Sequence, residues 1–586
     1  MTDQAGRQTI CLNMIVRNES HIVHELLDTV VGLIDYWVIV DTGSTDGTQD
    51  IIRNYMAERG IPGELHERPW RDFGSNRTEA LQLAQNKCDY IMVMDADDLL
   101  VGTLELRNLT ADVYYLRIRD DGGTSYWRRE LFRNGVPVFY RGVLHEFPDC
   151  DVPFTEERVQ GDYYVNSRRL GARNKDPEKY LRDAEVLLAE VHRNPSDSRA
   201  VFYLAQSYHN YGDFANGLKW YAHRAEMGEW EEEVFFSMMR VAECMAELKY
   251  PLHEVQEQYL RAWEYRPIRC EPLYRLAYKL RSEAHYARAY LFARASAETP
   301  LPLEDRLFVG ADIYEWRAKD EQAVCASWLI GKRQETFGLC RELLAMDHIP
   351  EGDRARITMN RDLCVPEMLA DATEYPTEAA QRPAGPRDAE VTVSLVVGSR
   401  AAEAETTLNS FLNCCTDADR VGRFVALDTG LSAADRTRLA ERYPFLEFIA
   451  GEGAGSFAAQ LDRLRPEIGG HYWMHLGQGW HFFAPEALIG RLVAVLEAEP
   501  EVCQVGVNYT DATAIISKTA PLADVRSAPG AGHYLPAAAA ILGPNLVDAA
   551  RFEKALAAAT SGGRLSTATL DEVLCVKQDQ ASYGGS

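Results

Sequence analysis

Three short apolar runs, TICLNMIV, YWVIVD and YIMVMD, each stop at a polar turn, and the stretches between them place apolar residues at helical spacing. Short apolar runs without strict alternation read as strands buried on both faces. This confines residues from about 9 to 150 to an α/β arrangement with a largely parallel sheet. Ser20 to Val31 carries Ile22, Val23, Leu26, Leu27 and Val30 on one helical face, and Glu79 to Ala84 continues a second such pattern. Strand ends of an open parallel sheet face a common crevice, so the polar residues that stop the runs are where ligand contacts belong. They are Arg17-Asn18-Glu19 after Val16, then Asp41 with Gly43, Ser44 and Thr45, then Asp95-Ala96-Asp97-Asp98.

That rhythm cannot run through all 586 residues as one core, because cores stop growing near roughly 250 to 300 residues. From about Asp176 to residue 365 the strand signals vanish and helical hairpins take over, with Asp176-Pro177 reading as an N-cap and first helical position. In VFYLAQSYHNYGDFANGLKWYAHRAE the positions of Leu204, Ala205, Tyr208, Gly212, Gly217 and Tyr221 resemble a tetratricopeptide repeat, with Gly217 where that pattern has a small alanine. QEQYLRAWEYRP and SEAHYARAYLFA are weaker matches, which makes three or four degenerate repeats. Such a stack either offers a concave binding surface or simply joins its neighbours.

The segment EYPTEAAQRPAGPRDAE has little to bury and reads as a linker. After it VTVSLVV, RFVALDTG and HYWMHLG return as strands, with TTLNSFLNCC as a helix. VIVDTGSTDGT matches VALDTGLSAAD, pairing Asp41-Thr42-Gly43 with Asp428-Thr429-Gly430, so the second α/β region looks like a copy of the first. In that copy Gly477-Gln478-Gly479 stands where the first has Asp95-Ala96-Asp97. The expected domains are therefore 1–170, a helical region 171–370, a linker 371–390, and the copy at 391–586.

Several function classes lose support. A formal net charge of −26 repels polyanions at long range, so nucleic-acid binding is disfavoured outside a local basic groove. No apolar run reaches the roughly 18 residues of a membrane helix, and MTDQAGRQTICLNMIV lacks the basic, apolar and small-residue order of a secretory signal. The 12 cysteines include no CxxC pair, which favours buried thiols in a reducing, cytoplasmic setting. His24-Glu25 lacks the second histidine of a zinc protease, since position 28 is Asp28. Neither a GxxxxGK[ST] loop nor a convincing GxGxxG follows a strand. A sugar nucleotidyltransferase would open with a glycine-rich basic loop, whereas the first strand here runs into Val16-Arg17-Asn18-Glu19.

Two carboxylates one residue apart at a strand end, Asp95 and Asp97, suit a hard divalent cation that also takes phosphate oxygens. Taken alone, such a pair is as well explained by a solvated turn, and Asp41 by a turn before Thr42-Gly43. In order, however, IVRNES, VDTGSTDGT, PWRDFGSNRTEAL and YIMVMDADD closely resemble family 2 glycosyltransferases of the GT-A type. The resemblance covers residues 9 to 150, and repeats after the catalytic domain occur in one subgroup of that family. It implies a Rossmann-like GT-A catalytic domain and a C-terminal GT-A-like copy that has lost its metal motif.

By this resemblance Glu19 and Asp41 would hold the base and ribose of a nucleotide sugar, a UDP-sugar first. Val16, Arg17, Asn18, Gly43, Ser44 and Ala96 would line the same donor site. Asp95 and Asp97 would hold the diphosphate through Mn2+ or Mg2+, with Asp95 also reaching ribose or water. RRELFRNGVPVFYRGVLHEF resembles the subgroup's Gly-x-x-His-Glu segment from Gly142, making His145 a third ligand and manganese the first choice. An inverting transfer needs one base; Glu146 is the candidate, with Asp120 and Asp121 competing at the end of VYYLRIRDD. Arg68, Arg71, Arg77, Arg168, Arg169, Arg173 and Lys175 could pair with diphosphate oxygens. The family's helix before the metal motif commonly starts Arg-Asn, where this chain has Asn76-Arg77. The expectation is an inverting, metal-dependent glycosyltransferase acting on a protein or peptide. Glycan, lipid-linked or modified nucleic-acid acceptors are the alternatives, and a non-catalytic repeat scaffold is the reading of another class.

Overall fold

The structure, a computed structural model, describes residues 8–120, 125–168, 170–171, 176–372, 390–451, 455–509, 521–537, 539–559 and 565–577. The chain forms two compact units, Met1–Leu276 with Thr299–Ala311, and Ala277–Glu298 with Asp312–Ser586. The division falls inside the helical stretch, so each unit combines one large sheet with part of the helices.

In the first unit the strands are β1 (Ile10–Val16), β2 (Tyr36–Asp41), β3 (Gly63–Glu67), β4 (Tyr90–Val93), β5 (Asp98–Gly102), β6 (Val113–Asp120), β7 (Ser125–Arg133), β8 (Phe139–Arg141), β9 (Phe147–Asp149), β10 (Glu156–Arg158) and β11 (Tyr163–Ser167). The large sheet runs β3-β2-β1-β4-β7-β6-β11-β5, with β10 on β6, while β8 and β9 pair separately. Its first four strands are parallel and hold the three polar strand ends at one edge; β7 then runs antiparallel to β4, so the sheet is mixed. Val16 pairs with Asp41, and Asn13 with Val93.

Side chains alternate between the faces of a strand. Leu12, Met14, Val16 and Ile39 therefore join one core with Val23, Leu26, Leu27 and Val30 of α1 (Val23–Val30). Cys11, Val38, Ile91 and Val93 join another with Leu81 of α3 (Phe73–Leu83). Each such aliphatic side chain contributes about 1.5–3 kcal/mol by leaving water, so a one-residue register slip would be costly. Helix α2 (Thr48–Glu58) follows β2.

The helical stretch supplies α4 (Lys179–Arg193), α5 (Ser198–Tyr211), α6 (Phe214–Met227), α7 (Glu231–Glu247) and α8 (Leu252–Tyr265) to this unit. Asp176-Pro177 is not the start of a helix. The Asp176 carboxylate accepts from the Glu178 amide at 3.0 Å, and the helix begins at Lys179, because the pair closes a turn first. Helices α5 and α6 turn at Gly212, whose φ of 91° is left-handed. A Cβ on Gly217 would meet Cys244 Sγ of α7 at 3.3 Å, so close packing explains glycine at that position. Helix α9 (Glu271–Ser282) crosses the division between units.

The second unit holds α10 (Tyr286–Ala297), α11 (Ala318–Ala326), α12 (Arg333–Leu344), α13 (Glu351–Asp362) and α14 (Val365–Ala372). Its strands are β12 (Val391–Val397), β13 (Val421–Asp428), β14 (Leu446–Ala450), β15 (Tyr472–His475), β16 (Trp480–Phe482), β17 (Gln504–Gly506), β18 (Arg526–Ala528), β19 (Gly532–Ala537), β20 (Asn545–Asp548), β21 (Thr567–Leu570) and β22 (Cys575–Lys577). The sheet order β14-β13-β12-β15-β20-β17-β21-β19-β18 begins as the first sheet does. Helices Ala401–Cys414 and Ala433–Arg442 occupy the chain positions of α1 and α2. Most of the expected linker, residues 373–389, lies outside the described residues. Among the described residues no helix is long and apolar enough to cross a membrane.

Candidate active site

The crevice is built from the ends of β1, β2 and β4. Asp41, 1% exposed, closes the turn after β2: its Oδ1 accepts from the amides of Gly43 (2.9 Å) and Ser44 (2.8 Å) and from the Gln49 side chain (2.9 Å). Its Oδ2 is buried and accepts no hydrogen bond among the described residues. Burial disfavours the charge, but the bonds from Ser44, Gln49 and Gly43 outweigh it and hold the carboxyl below its usual range. The β1 end is tied to the same turn. Asn18, at a left-handed φ of 58°, accepts the Thr45 amide on Oδ1 (2.9 Å), and its own amide donates to Ser44 Oγ (2.9 Å). The Glu19 amide donates to Thr48 Oγ1 (2.9 Å).

After β4 the Asp95-Ala96-Asp97 turn is wrapped in opposite charge. Arg77 of α3 donates through Nη2 to Asp95 and through Nε to Glu146 at 2.6 Å. Arg128 of β7 lies 3.8 Å from Asp95, donates to Asp98 at 2.9 Å and ion-pairs with Glu130. Burial raises the Asp95 carboxyl, but Arg77 and Arg128 outweigh it and bring it below the usual range. At Asp98 and Glu130 burial wins instead, pushing these carboxyls up to about 6 and about 7 against the pull of Arg128. Asp98 and Glu130 share the Arg128 guanidinium and are only partly compensated by it.

The Gly142–Phe147 segment reaches the crevice from α3 and β8. The first turn of α3, capped by Asp72 on the Ser75 amide at 2.7 Å, packs backbone to backbone on it: a Cβ on Gly74 would stand 2.4 Å from Gly142 O. The Phe73 amide donates to Val143 O at 3.3 Å, and Tyr140 to Thr78 Oγ1 at 2.9 Å. Glu146 thus faces Arg77. The ring of His145 instead stacks on Tyr203 of α5, centroids 3.9 Å apart and planes 8° apart.

Beyond β11 the chain doubles back over the Asp95-Ala96-Asp97 turn. The Gly171 amide donates to Asp97 Oδ2 at 2.9 Å, and Arg168 donates to Asp97 O at 3.0 Å and pairs with Glu25. Asp95 is therefore engaged by Arg77, one Asp97 oxygen by Gly171 and His145 by Tyr203. Among the described residues no three or more His, Cys, Asp or Glu are gathered to hold a metal ion. In this arrangement the three expected ligands are not gathered at one point.

The sequence-derived site residues thus fall into connected groups. Val16, Asn18, Glu19, Asp41, Gly43 and Ser44 meet at the β1 and β2 ends, and Asp95, Arg77 and Glu146 meet in one ion-paired chain. Ala96 is buried within its turn. Arg17 is exposed, and Arg68, whose amide donates to Asp41 O at 2.9 Å, pairs through its side chain with Glu79 at 2.6 Å. Strand β6 ends at Asp120, whose side chain, like Asp121, Arg169, Arg173 and Lys175 as a whole, lies outside the described residues. Sequence reasoning missed Arg128 and Glu130, although their i, i+2 spacing in SYWRRELFR puts both on one face of β7.

Residues 11–109 match the family model described as Glycosyl transferase family 2. A TPR repeat-containing protein of Synechococcus elongatus is 30% identical over 154 residues, a match spanning 25% of this chain and 36% of that protein's length. Solved structures with a partial likeness include S. aureus TarS, at 11% identity and a TM-score of 0.25, covering 44% of this chain and 54% of TarS. They also include the TPR protein YrrB, at 13% identity and a TM-score of 0.24, covering 31% of this chain and 84% of YrrB. Likenesses at such TM-scores carry no argument about this chain. The family match spans β1, β2 and β4 with their strand-end turns, and the first unit therefore carries a glycosyl transferase family 2 domain over residues 11–109.

Proposed function

We propose that this chain is an inverting glycosyltransferase that moves a sugar from a nucleotide diphosphate sugar, a UDP-sugar first, to a protein or peptide acceptor. The observation that carries the reading is the coincidence of the family match with a crevice in which Arg77 joins Asp95 of the strand-end turn to Glu146. The Asp41 turn, with its buried, unbonded Oδ2, is the donor-nucleotide end, together with Val16, Arg17, Asn18, Glu19, Gly43, Ser44 and Ala96. Glu146 is the base. It takes the proton of the acceptor O–H, N–H or S–H as that atom attacks the anomeric carbon, and the bond from that carbon to the diphosphate oxygen breaks on the opposite side.

For Glu146 to act, Arg77 must turn toward the negative charge of the diphosphate, to which a guanidinium donates as readily as to a carboxylate. Divalent-cation dependence, Mn2+ before Mg2+, belongs to the proposal through Asp95 and Asp97, whose contacts with Arg77 and Gly171 would have to give way. A polypeptide acceptor is favoured by helical hairpins packed directly on the segment that carries Glu146.

A screen of sugar nucleotides for hydrolysis and transfer, with and without Mn2+, tests this on the full chain, Asp97→Ala and Glu146→Gln. Mn2+-dependent turnover lost in both variants is expected. Turnover independent of the cation, or unchanged in Asp97→Ala, would overturn the mechanism, and failure to bind Mn2+ with any sugar nucleotide would favour a scaffold.

A further inference from the structure

We infer that Tyr203 and Arg199, on the first helix of the α5–α6 hairpin, are positioning residues for sugar transfer, holding the segment that presents Glu146. This rests on the activity proposed above and assigns part of the catalytic apparatus to the helical region.

His145 has a φ of 52°, a left-handed conformation that is uncommon for a residue with a Cβ. What surrounds it on one side is α5. Tyr203 stacks face to face on the imidazole, with centroids 3.9 Å apart, and Arg199 Nη2 reaches His145 O at 3.5 Å. The Arg199 guanidinium also lies over the rings of Phe147, at 4.8 Å, and Tyr203, at 5.0 Å. Residues 199 and 203 are one helical turn apart, so both project from the same face of α5.

Arg199 is itself fixed from behind. Glu233 of α7 lies 3.4 Å from its Nη1, and the same carboxylate takes fully buried Arg224 of α6 at 2.8 Å. Three helices of the repeat stack therefore converge on a residue adjacent to Glu146. From the opposite side α3 holds the segment through Gly74, packed on Gly142, and through the Phe73 amide on Val143 O. The segment is clamped between the sheet domain and the first hairpin. Clamping of this kind fixes where a base sits relative to the reacting proton, and small displacements there are costly in rate. The donor-nucleotide turn at Asp41 touches neither Arg199 nor Tyr203 in any hydrogen bond or ring contact among the described residues.

The test is steady-state kinetics with the full chain and the sugar nucleotide selected by the screen, comparing wild type, Tyr203→Leu, Tyr203→Phe and Arg199→Gln. Tyr203→Leu should lower kcat at least tenfold while donor KM stays within about twofold, Arg199→Gln should follow it more weakly, and Tyr203→Phe, which keeps the flat ring, should restore kcat to within threefold. Amide hydrogen exchange of residues 142–147 should quicken in Tyr203→Leu and return toward wild type in Tyr203→Phe, a readout that needs no turnover. Unchanged kcat and exchange in Tyr203→Leu, or equal losses in the Leu and Phe variants, would overturn the inference while wild-type turnover leaves the proposed activity standing. Absence of turnover in the wild type with every donor would instead remove the activity, and this role with it.

Discussion

The two sheets put the same backbone frame to different chemical use. Val16 pairs with Asp41 as Val397 pairs with Asp428, and Asn13 with Val93 as Ser394 with His475, so Asp95-Ala96-Asp97 and Gly477-Gln478-Gly479 occupy equivalent turns. Thr42 and Thr429 make the same pair of bonds, N–H and O–H, to the preceding strand end. Both aspartates accept two amides of their own turn on Oδ1.

The difference begins eight residues further on. Gln49 adds a third bond to Asp41 Oδ1 and leaves Oδ2 unbonded, whereas Arg436 takes Asp428 Oδ2 at 3.3 Å. At the second turn Gln478 donates to Glu403 at 3.1 Å, and Gly477 and Gly479 adopt left-handed φ values of 69° and 77°. Arg436 and Glu403 thus take polar groups of the second copy's two turns, and the Gly477-Gln478-Gly479 turn carries two residues at positive φ.

The largest expected effect separates the copies by activity. Asp97→Ala should lower turnover about 10²–10³-fold, the scale of losing one preorganised charge-stabilising group. Gln478→Ala, at the equivalent turn of the second copy, should stay within twofold. A comparable loss from Gln478→Ala would break the comparison.

Acid stability should come next. His475 stands where the first sheet has Val93; burial lowers its imidazole to about 4, with Ser394 Oγ on Nδ1 at 2.9 Å. In the unfolded chain the ring titrates near 6.5, so between those values the unfolded state binds more protons. Stability then falls as pH drops through that window, by roughly 3 kcal/mol once below it. Hydrogen-exchange protection of β15 should fall correspondingly on acidification, and His475→Val should flatten the decline. An unaltered acid slope in that variant would show that other groups govern it.

Donor binding should follow. Asp41→Asn should weaken calorimetric affinity for a nucleoside diphosphate about 10- to 100-fold, the worth of a charged hydrogen bond at roughly 1.5–3 kcal/mol. Asp428→Asn should leave that affinity unchanged, because Arg436 already occupies its carboxylate.

The smallest effect concerns the turn backbone. Gly477→Asp and Gly479→Asp should each cost about 1 kcal/mol, since both glycines sit at positive φ. The doubly substituted chain should gain no Mn2+ binding by calorimetry. A new binding site would mean that the acids alone were missing.

Much of this was legible in the chain. The apolar runs marked β1, β2 and β4, the VDTG and LDTG matches marked the duplication, and the repeat pattern through Leu204, Gly212 and Tyr221 marked the α5–α6 hairpin, because each depends on neighbours a few residues away. Other features depend on distant partners. Asn76-Arg77 looked like an altered helix start, yet Arg77 bridges Asp95 and Glu146; His145 looked like a ligand, yet it stacks on Tyr203. Asp176-Pro177 carried a helix-start pattern that a local turn overrode.

By itself the sequence determined which segments become strands and helices and which copy kept its acids, since periodicity and strand-end residues act locally. Tertiary structure alone decided which charges meet. Arg77 and Glu146 lie 69 residues apart, and Gly171 and Asp97 lie 74 apart. Such pairings form only when α3, β4 and the chain beyond β11 close on one crevice, where burial makes each charge require a partner.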